Sequence, residues 1–521
     1  MGLGLAATLG GLAVGELVAG LFREAASPVV PVGQIVIDHV PASVRTWAID
    51  TFGTADKAVL IVGSLLVLFG IGSVVGLLVQ AGRHAAACAL AGLTGVIGVW
   101  AVAERPAATF VKMLPAISGT LVTIGLLWWW ARARPRADTA QGRREFLVQA
   151  SSVGLVALML GSLGRFLRRR FAIDAERTEV VLPPADAARG EPSGSTPPPA
   201  HPPTSDVPVE VLPADAAPDD LPGAVAGPTE FGIDDVTPFI VPSRDFYRID
   251  TALVVPQVRR AEWQLRIHGM VDRELELTFD DLLARPQVQR QVTLSCVSNS
   301  VGGPLVGNAL WQGVLLAPLL EECGLQPEAT QVVSRSIDGW TCGSPTAAIM
   351  DGRDALVAIG MNGEALPAEH GYPVRLVVPG LYGYVSATKW VTEIELTRWE
   401  DFDAYWVPRG WSKEGPVKTM ARIDRSADGL IAGMAWAVHR GVSRVEVSID
   451  EGEWRECELA GVPSDDTWRQ WRYEWADATP GDHTVRARAY DGADAVQPEG
   501  PKREAPDGAE GYHRVGFTIP G

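Results

Sequence analysis

The sequence lacks the spacings by which cysteine and histidine usually hold zinc or haem. The five cysteines, at positions 88, 296, 323, 342 and 457, lie far apart and none forms a CxxC pair. This excludes zinc ribbons, thioredoxin motifs and CxxCH haem sites, and it gives no sign of a disulfide framework. Of the 8 histidines, only His84 lies at the edge of an apolar stretch, and His39 is predicted in a loop. No haem-bearing helical bundle is therefore expected.

Positive charge is also scarce. The 521 residues include 45 Lys and Arg against 62 Asp and Glu, a net charge of −17. Nucleic acid is excluded as a partner, because phosphate binding needs clustered Lys and Arg. The mean hydropathy is nevertheless +0.11. The chain is therefore predicted to combine an apolar part with an acidic soluble part, in two to four domains.

Five apolar stretches make up most of the first 171 residues. Each is about long enough to cross a hydrocarbon core of about 30 Å. They are residues 2–22, 58–80, 85–103, 116–130 and 147–164. We predict an N-terminal α-helical transmembrane bundle over residues 1–171, a multi-pass protein of the plasma membrane in contact with lipid. The first stretch has no basic segment before it, which favours an anchor over a cleaved signal.

The arginines beside the last two stretches leave the orientation open. Five arginines between residues 132 and 144 favour a cytoplasmic N-terminus and an outer C-terminus, whereas four between residues 165 and 170 favour the reverse. The run 143–147 (RREFL) resembles a twin-arginine export signal, with an ordinary positively flanked anchor as the alternative. Export would place the following domains outside the cytoplasm.

A proline-rich linker is predicted at residues 172–230. Residues 178–228 contain 13 prolines and no aromatic residue. Such a composition cannot bury enough apolar surface to offset chain entropy. We expect an extended, semi-stiff spacer.

Residues 231–399 have the mixed pattern of an α+β domain. Strand-like VTLS (292–295) runs directly into Cys296, and glycines follow at 302, 303 and 307. A thiol at a strand end before a flexible loop suits a metal ligand. A buried core thiol is the alternative that the spacing alone leaves open.

Two longer segments carry a family resemblance. VTLSCVSNSVGGPLVGNALWQGVLLAPLL (292–320) resembles the segment around the molybdenum-binding cysteine of the sulfite-oxidase family. MNGEALPAEHGYPVRLVVPGLYGYVSATKW (361–390) resembles that family's pterin-phosphate segment more closely. The resemblance extends over residues 231–516 and implies a molybdenum–molybdopterin cofactor and an oxidoreductase activity.

The resemblance also implies roles for individual residues. Cys296 would be the protein ligand to molybdenum, and Arg375 and Lys389 would hold the pterin's terminal phosphate. His370, Ser386 and Thr388 match other cofactor-contacting positions. The segment Arg244, Asp245, Phe246 and Tyr247 would pass over the cofactor, with Arg244 steering an oxo group and Tyr247 or Asp245 exchanging a proton. Trp311 is either a pocket wall or a core residue.

Departures from the family pattern concern the substrate. Sulfite oxidases have Cys-x-x-Asn-Arg-Arg, whereas Ser300 and Val301 replace both arginines here, and Ile359 replaces an expected Tyr. Because a sulfite dianion needs several converging cations, sulfite itself is doubtful as the substrate. Two-electron oxygen-atom transfer on a small oxo substrate, an oxo-anion or a sulfoxide, remains the leading interpretation. A sulfoxide reductase of the same fold and a non-catalytic membrane-tethered binding module are the alternatives.

Residues 400–521 are predicted to be an all-β immunoglobulin-like sandwich. Segments 442–450 and 483–490 alternate polar and apolar residues, with turns at 450–452 and 480–482. GPVKTMARID (415–424) and AWAVHRGVSRVEVSID (435–450) resemble the family's dimerisation domain, which implies a homodimer. The chain has no cytochrome b5-like haem motif, so the electron partner is expected to be a separate protein or a quinone-linked carrier.

Overall fold

The computed structural model describes residues 2–41, 44, 47–48, 51–52, 55–105, 108–133, 140–185 and 224–520. The chain divides into two compact units. Unit 1 contains Met1–Ile173 and Asp250–Gln257, and unit 2 contains Asp174–Ile249 and Val258–Gly521.

Unit 1 is helical. Its helices are α1 (Gly2–Leu21), α2 (Val29–His39), α3 (Asp56–Gln80), α4 (His84–Ala103), α5 (Phe110–Ala133) and α6 (Ala140–Arg169). By length and composition, five of them (α1 and α3–α6) are long and apolar enough to cross a membrane. These five coincide with the predicted apolar stretches. The loop predicted around His39 is wrong, because His39 is the last residue of α2.

Helix α1 packs against α3, α5 and α6 through glycine. A Cβ built on Gly4 would lie 1.9 Å from Gly72 O, one on Gly11 would lie 2.4 Å from Gly119 O, and one on Gly20 would lie 2.2 Å from Gly164 O. Only residues without side chains let helix backbones approach this closely. Half of the residues of α1 are buried, which makes it the central helix of unit 1.

A short segment distant in sequence completes unit 1. The Asp250 carboxylate accepts from Lys57 Nζ at 2.5 Å, and the Gln34 amide donates to Thr251 O at 2.9 Å. Gln257 O accepts from Arg23 at 3.0 Å. Residues 250–257 are therefore held to the helices by an ion pair and by hydrogen bonds.

Unit 2 begins with α7 (Asp174–Thr178) and then forms two mixed layers around short helices. The first sheet has the order β2 (Leu275–Thr278), β1 (Gln264–Gly269), β10 (Val391–Thr397), β5 (Gln331–Ser336), β6 (Thr341–Pro345). The second has the order β3 (Val288–Ser295), β4 (Val306–Leu315), β7 (Leu356–Met361), β8 (Glu364–Ala365), with β9 (Arg375–Val377) also paired to β7. The helices are α8 (Phe279–Ala284), α9 (Leu316–Cys323), α10 (Thr346–Met350) and α11 (Gly383–Ser386). Strand β4, which the sequence analysis left unassigned, pairs with β3 in antiparallel register, Ser295 opposite Val306.

The C-terminal part consists of two four-stranded antiparallel sheets. One has the order β11 (Met420–Ala427), β12 (Leu430–Trp436), β16 (Arg469–Glu474), β15 (Glu458–Leu459). The other has the order β14 (Arg455–Glu456), β13 (Val442–Ile449), β17 (Gly481–Asp491), β18 (His513–Ile519). A buried apolar cluster that includes Ile431, Trp471, Val445 and Val485 combines strands of both sheets. The period-two alternation of the sequence therefore marks real strands with one face in a core.

The predicted linker 172–230 is shorter than expected. Its N-terminal end reaches unit 2, where Pro183 O accepts from Gln312 at 2.8 Å. At the other end, Val225 forms a β-bridge with Val462. Residues 186–223 lie outside the described residues, as do the side chains of Arg143 and of residues 145–147 in the twin-arginine-like run.

Candidate active site

Cys296 follows the last residue of β3 and begins a closed turn. The Cys296 N–H donates to Leu305 O at 2.9 Å, and the Asn299 side chain accepts from Leu305 N at 2.8 Å. The Cys296 Sγ lies 3.0 Å from Ser298 Oγ. Burial raises the pKa of the Cys296 thiol, and hydrogen bonds from Ser298 oppose that shift. A thiol in this setting becomes a thiolate when a metal binds it.

Only some side chains of the predicted segment 244–247 lie near the turn that begins at Cys296. Phe246 is buried between Trp311 and His370, with ring centroids 5.7 and 5.6 Å away, and stacks on Tyr247 at 5.1 Å. A Cβ on Gly307 would lie 2.9 Å from the Phe246 ring, so glycine there makes room for it. Phe246 thus fixes the ring of Tyr247.

Tyr247 is within electrostatic range of both the Cys296 thiol and Arg375. Burial raises its pKa, the charge of Cys296 raises it further, and Arg375 lowers it. Its hydroxyl makes no hydrogen bond within the part of the chain that the structure describes. Tyr247 is therefore a protonated phenol with a donor to spare, close to both Cys296 and Arg375.

Arg244 and Asp245 face solvent instead. Their side chains are 86% and 56% exposed and pair with each other at 3.3 Å. The prediction that Arg244 points over the cofactor does not match this conformation. The sequence order Arg-Asp-Phe-Tyr shows only which residues are chain neighbours. The backbone makes a turn here, in which the Pro242 carbonyl accepts from the amides of Asp245 and Phe246. This turn directs the side chains of Arg244 and Asp245 outward.

Arg375 and Lys389, the two residues predicted to hold the phosphate, form an isolated backbone β-bridge. Arg375 is only 5% exposed, donates to His370 O at 3.1 Å and lies over the Trp311 ring at 4.7 Å. Burial lowers its pKa to about 10. Among the described residues no carboxylate lies within ion-pair distance of it. Lys389, 9% exposed, donates to Glu369 O at 3.0 Å.

A glycine leaves space beside the two cations. Gly371 has φ +114°, and a Cβ there would lie 3.0 Å from the Cβ of Arg375 and 3.2 Å from that of Lys389. A buried arginine without an anion is costly unless a ligand neutralises it. The site therefore fits a cofactor that ends in a phosphate.

His370 supports this site in its neutral form. Burial and the charge of Arg375 lower its pKa to about 4. Its Nε2 lies 2.9 Å from Ser243 O, and since a carbonyl can only accept, Nε2 carries the hydrogen. His370 thus connects the 242–247 turn to the phosphate segment.

Three predicted contacts have structural roles. Ser386 Oγ donates to Leu381 O at 3.1 Å and to Tyr382 O at 3.0 Å, and Thr388 Oγ1 lies 2.6 Å from Ser334 Oγ. Both residues are 0% exposed, so the prediction that their hydroxyls wrap the phosphate is not supported by this geometry. Trp311 is a core residue whose Nε1 donates to Val292 O at 3.1 Å.

The sequence analysis missed three residues around Cys296. The charge of Cys296 contributes to raising the pKa of Tyr382, after burial, which is the larger cause. Arg422 donates to Gly303 O at 3.3 Å, and a Cβ on Gly302 would lie 2.2 Å from the His513 ring. Arg422 and His513 belong to the C-terminal strands, more than 100 residues after Gly302 and Gly303 in the chain. No local sequence pattern predicts such contacts.

Comparisons with known proteins indicate the family of the chain. Residues 252–406 match the family described as "Oxidoreductase molybdopterin binding domain". The chain is 34% identical over 154 residues to "Uncharacterized oxidoreductase YuiH" of Bacillus subtilis (strain 168), a match that covers 30% of this chain and 74% of that protein. It is 30% identical over 240 residues to mitochondrial sulfite oxidase of Drosophila melanogaster, covering 41% of each.

Among solved structures, the chain is similar to the sulfane dehydrogenase SoxCD from Paracoccus pantotrophus, with a TM-score of 0.46 and 24% identity over 54% of this chain and 82% of that one. The chain spans about half or less of the sulfite oxidases that it matches, 41% of the Drosophila melanogaster protein and 52% of the Rattus norvegicus protein.

The fold and the site together define a molybdenum-cofactor-dependent oxidoreductase, and the cofactor is molybdenum–molybdopterin. The chain belongs to the sulfite-oxidase-type family of molybdopterin enzymes.

Proposed function

We propose that this protein is a membrane-anchored enzyme that moves an oxygen atom onto or off a small oxo substrate in a two-electron reaction, with Cys296 as the protein ligand to molybdenum. One observation carries the proposal. Tyr247 stacks on Phe246, which packs against the Trp311 ring under Arg375, and a Cβ built on Gly383 would lie 4.0 Å from the Tyr247 hydroxyl and 3.8 Å from the carbonyl oxygen of Ser295, the residue before Cys296, so a buried thiol, a phenol and a desolvated cation belong to one neighbourhood. A ligand that has a metal at one end and a phosphate at the other matches this arrangement.

Each residue has a defined task. When bound, the cofactor supplies the two electrons and the site where oxygen is gained or lost. Arg375 and Lys389 would hold the terminal phosphate, and Arg375 lies over the Trp311 ring. Neutral His370 holds the 242–247 turn in place through Ser243 O. Tyr247 donates its hydrogen to an oxygen beside the Cys296 sulfur, because its raised pKa keeps the phenol protonated.

The charge distribution favours a neutral oxo substrate, of the sulfoxide class, over sulfite. Arg244 is 86% exposed and neutralised by Asp245, and the two positions after Asn299 are Ser300 and Val301. A dianion leaving water would need several cations in the pocket. A sulfoxide needs only hydrogen-bond donors for its oxygen, which a phenol supplies.

Metal and pterin analysis of the purified full-length protein tests the assignment. We expect about one molybdenum with one pterin in the wild type, and reduction of methionine sulfoxide by a reduced dye exceeding any oxidation of sulfite. Cys296→Ser should lose activity even where pterin is retained. Cys342→Ser is the matched control, because Cys342 is a buried thiol whose neighbours are the hydroxyls of Thr388, Ser334 and Ser344. Wild-type protein without molybdenum or pterin, made in a host that produces the cofactor, would leave a binding module as the function.

The anchoring, the orientation and the partners are further parts of the proposal. We infer that α1 and α3–α6 cross the plasma membrane with unit 2 outside the cytoplasm, that a separate protein or a quinone-linked carrier exchanges electrons with it, and that the immunoglobulin-like C-terminal sheets form a homodimer. Five apolar helices support the anchoring. Protease protection in inverted and right-side-out vesicles tests the orientation, and light scattering of the detergent-solubilised protein tests the dimer.

A further inference from the structure

We propose that Tyr382 is a second phenol donor to the substrate oxygen, in addition to Tyr247, and that this pair of neutral donors selects a sulfoxide over an oxo-anion. This inference rests on the proposed function, since it assigns the substrate side of the same pocket. Tyr382 belongs to the run Gly380-Leu381-Tyr382-Gly383, which the sequence analysis treated only as part of the phosphate segment.

The backbone places Tyr382 next to a residue that borders the end of β3. Tyr382 N donates to Gly415 O at 2.7 Å, which fixes the entry to α11. A Cβ built on the following residue, Gly383, would lie 3.8 Å from Ser295 O and 4.0 Å from the Tyr247 hydroxyl. Residues 382–383 therefore border both the end of β3, where Cys296 begins, and Tyr247.

The Tyr382 hydroxyl has a hydrogen to give. Its oxygen accepts from Lys418 N at 3.3 Å, and within the described residues no acceptor takes its hydrogen. A Cβ on Gly508 would lie 2.5 Å from this oxygen, so the glycine leaves the space in which the phenol sits. The side chain is only 5% exposed, and a buried donor without an acceptor is costly.

Tyr384, two residues further on, shows the contrast. Its hydroxyl donates to Ser412 O at 2.7 Å and lies 3.2 Å from Glu414 O. Both tyrosines are buried, Tyr382 immediately before α11 and Tyr384 within it, but only Tyr382 has a donor that a ligand could use. Tyr384→Phe is therefore a matched control for Tyr382→Phe.

The protonation state suits hydrogen-bond donation. Burial raises the pKa of Tyr382 to about 12, and the charge of Cys296 adds to that effect. Tyr382 and Tyr247 are both neutral donors at physiological pH. Two neutral donors stabilise the oxygen of a neutral S=O group, whereas they leave most of the charge of a dianion uncompensated.

The test uses full-length holoprotein in detergent: the wild type, Tyr382→Phe and Tyr384→Phe. Calorimetry measures the Kd of methionine sulfone, which offers S=O oxygens without serving as the sulfoxide substrate, and kinetics measure kcat and KM for methionine sulfoxide with a reduced dye. A neutral hydrogen bond contributes about 0.5–1.5 kcal/mol. We therefore expect Tyr382→Phe to weaken sulfone binding about 3- to 10-fold and to raise KM, with molybdenum and pterin content unchanged. Tyr384→Phe should stay within about 2-fold of the wild type in both measurements.

The possible failures can be told apart. If wild-type holoprotein contains molybdenum and reduces the sulfoxide but both variants bind the sulfone alike, the role of Tyr382 is overturned and the proposed function stands. Loss of molybdenum in Tyr382→Phe would also overturn it, because Tyr382 would then position the cofactor. If the wild type contains the cofactor but does not reduce sulfoxides, the proposed substrate class is refuted. If the wild type contains no cofactor, the proposal that the protein is an enzyme is refuted.

Discussion

Replacing Arg375 with methionine separates a ligand-binding arginine from a structural one. Burial lowers the pKa of Arg375 from its ordinary value to about 10. Since one pKa unit corresponds to about 1.4 kcal/mol, the charged guanidinium costs the cofactor-free fold roughly 3 kcal/mol. The cost applies at every pH below about 10, because the folded pKa lies below the unfolded one and the group is charged in both states.

Two gains offset part of this cost in the cofactor-free protein. Arg375 donates to His370 O and packs over Trp311. These contacts contribute about 1 kcal/mol each, and methionine keeps much of the packing. Arg375→Met should therefore leave the cofactor-free protein as stable as the wild type, or more stable by about 1 kcal/mol. Without the charge-assisted bonds to phosphate, each about 1.5–3 kcal/mol, cofactor affinity should fall at least about 10-fold.

Arg290 is the matched control, because it is equally buried but paired with Asp354. Arg290→Met leaves a carboxylate without its cation and should destabilise the cofactor-free protein by about 3–5 kcal/mol. Thermal unfolding of full-length protein from a cofactor-deficient host gives the stabilities, and pterin content from a competent host gives the affinities. A melting temperature for Arg375→Met as low as that of Arg290→Met would refute the argument and make Arg375 a structural residue.

Three further predictions follow from burial and close contact. Because the pKa of His370 is lowered to about 4, stability that is complete above about pH 6.5 should decline between pH 6.5 and 4, and His370→Gln should flatten this decline in a pH series of thermal melts. Gly302→Ala should lower the free energy of unfolding by about 1–3 kcal/mol, because the new Cβ clashes with the His513 ring and because the backbone φ of +77° disfavours alanine. Adding His513→Ala should restore only the part of this free energy that is lost through the clash. Gly20→Leu should prevent α1 from packing on α6 and lower the yield of monodisperse protein, whereas Gly161→Ala, with nothing within 4 Å, should not.

Those parts of the site that lie within one chain segment could be predicted from the sequence. The strand before Cys296 and the nearby pair Arg375 and Lys389 could be identified because chain neighbours remain neighbours in a strand or a tight turn. The directions of the side chains could not be predicted from the sequence. Ser386 lies at the end of α11, where its hydroxyl bonds back to carbonyls of the preceding turn, and Arg244 is turned outward by the turn that buries Phe246. Both outcomes depend on local geometry that residue type does not fix.

The C-terminal part of the chain contacts both sides of the turn that begins at Cys296, and sequence reasoning that treats residues 400–521 as a separate dimerisation domain misses these contacts. Thr293, three residues before the thiol, donates its N–H to Asp466 O at 3.0 Å and accepts from Trp468 N at 2.8 Å. Arg422 holds the far side of the turn at Gly303 O. A metal ligand must be held to a fraction of an ångström, and its own strand can fix only one side of it. Contacts from the C-terminal sheets to both sides of the turn supply the remaining constraint, so their loss would affect cofactor retention as well as any dimer.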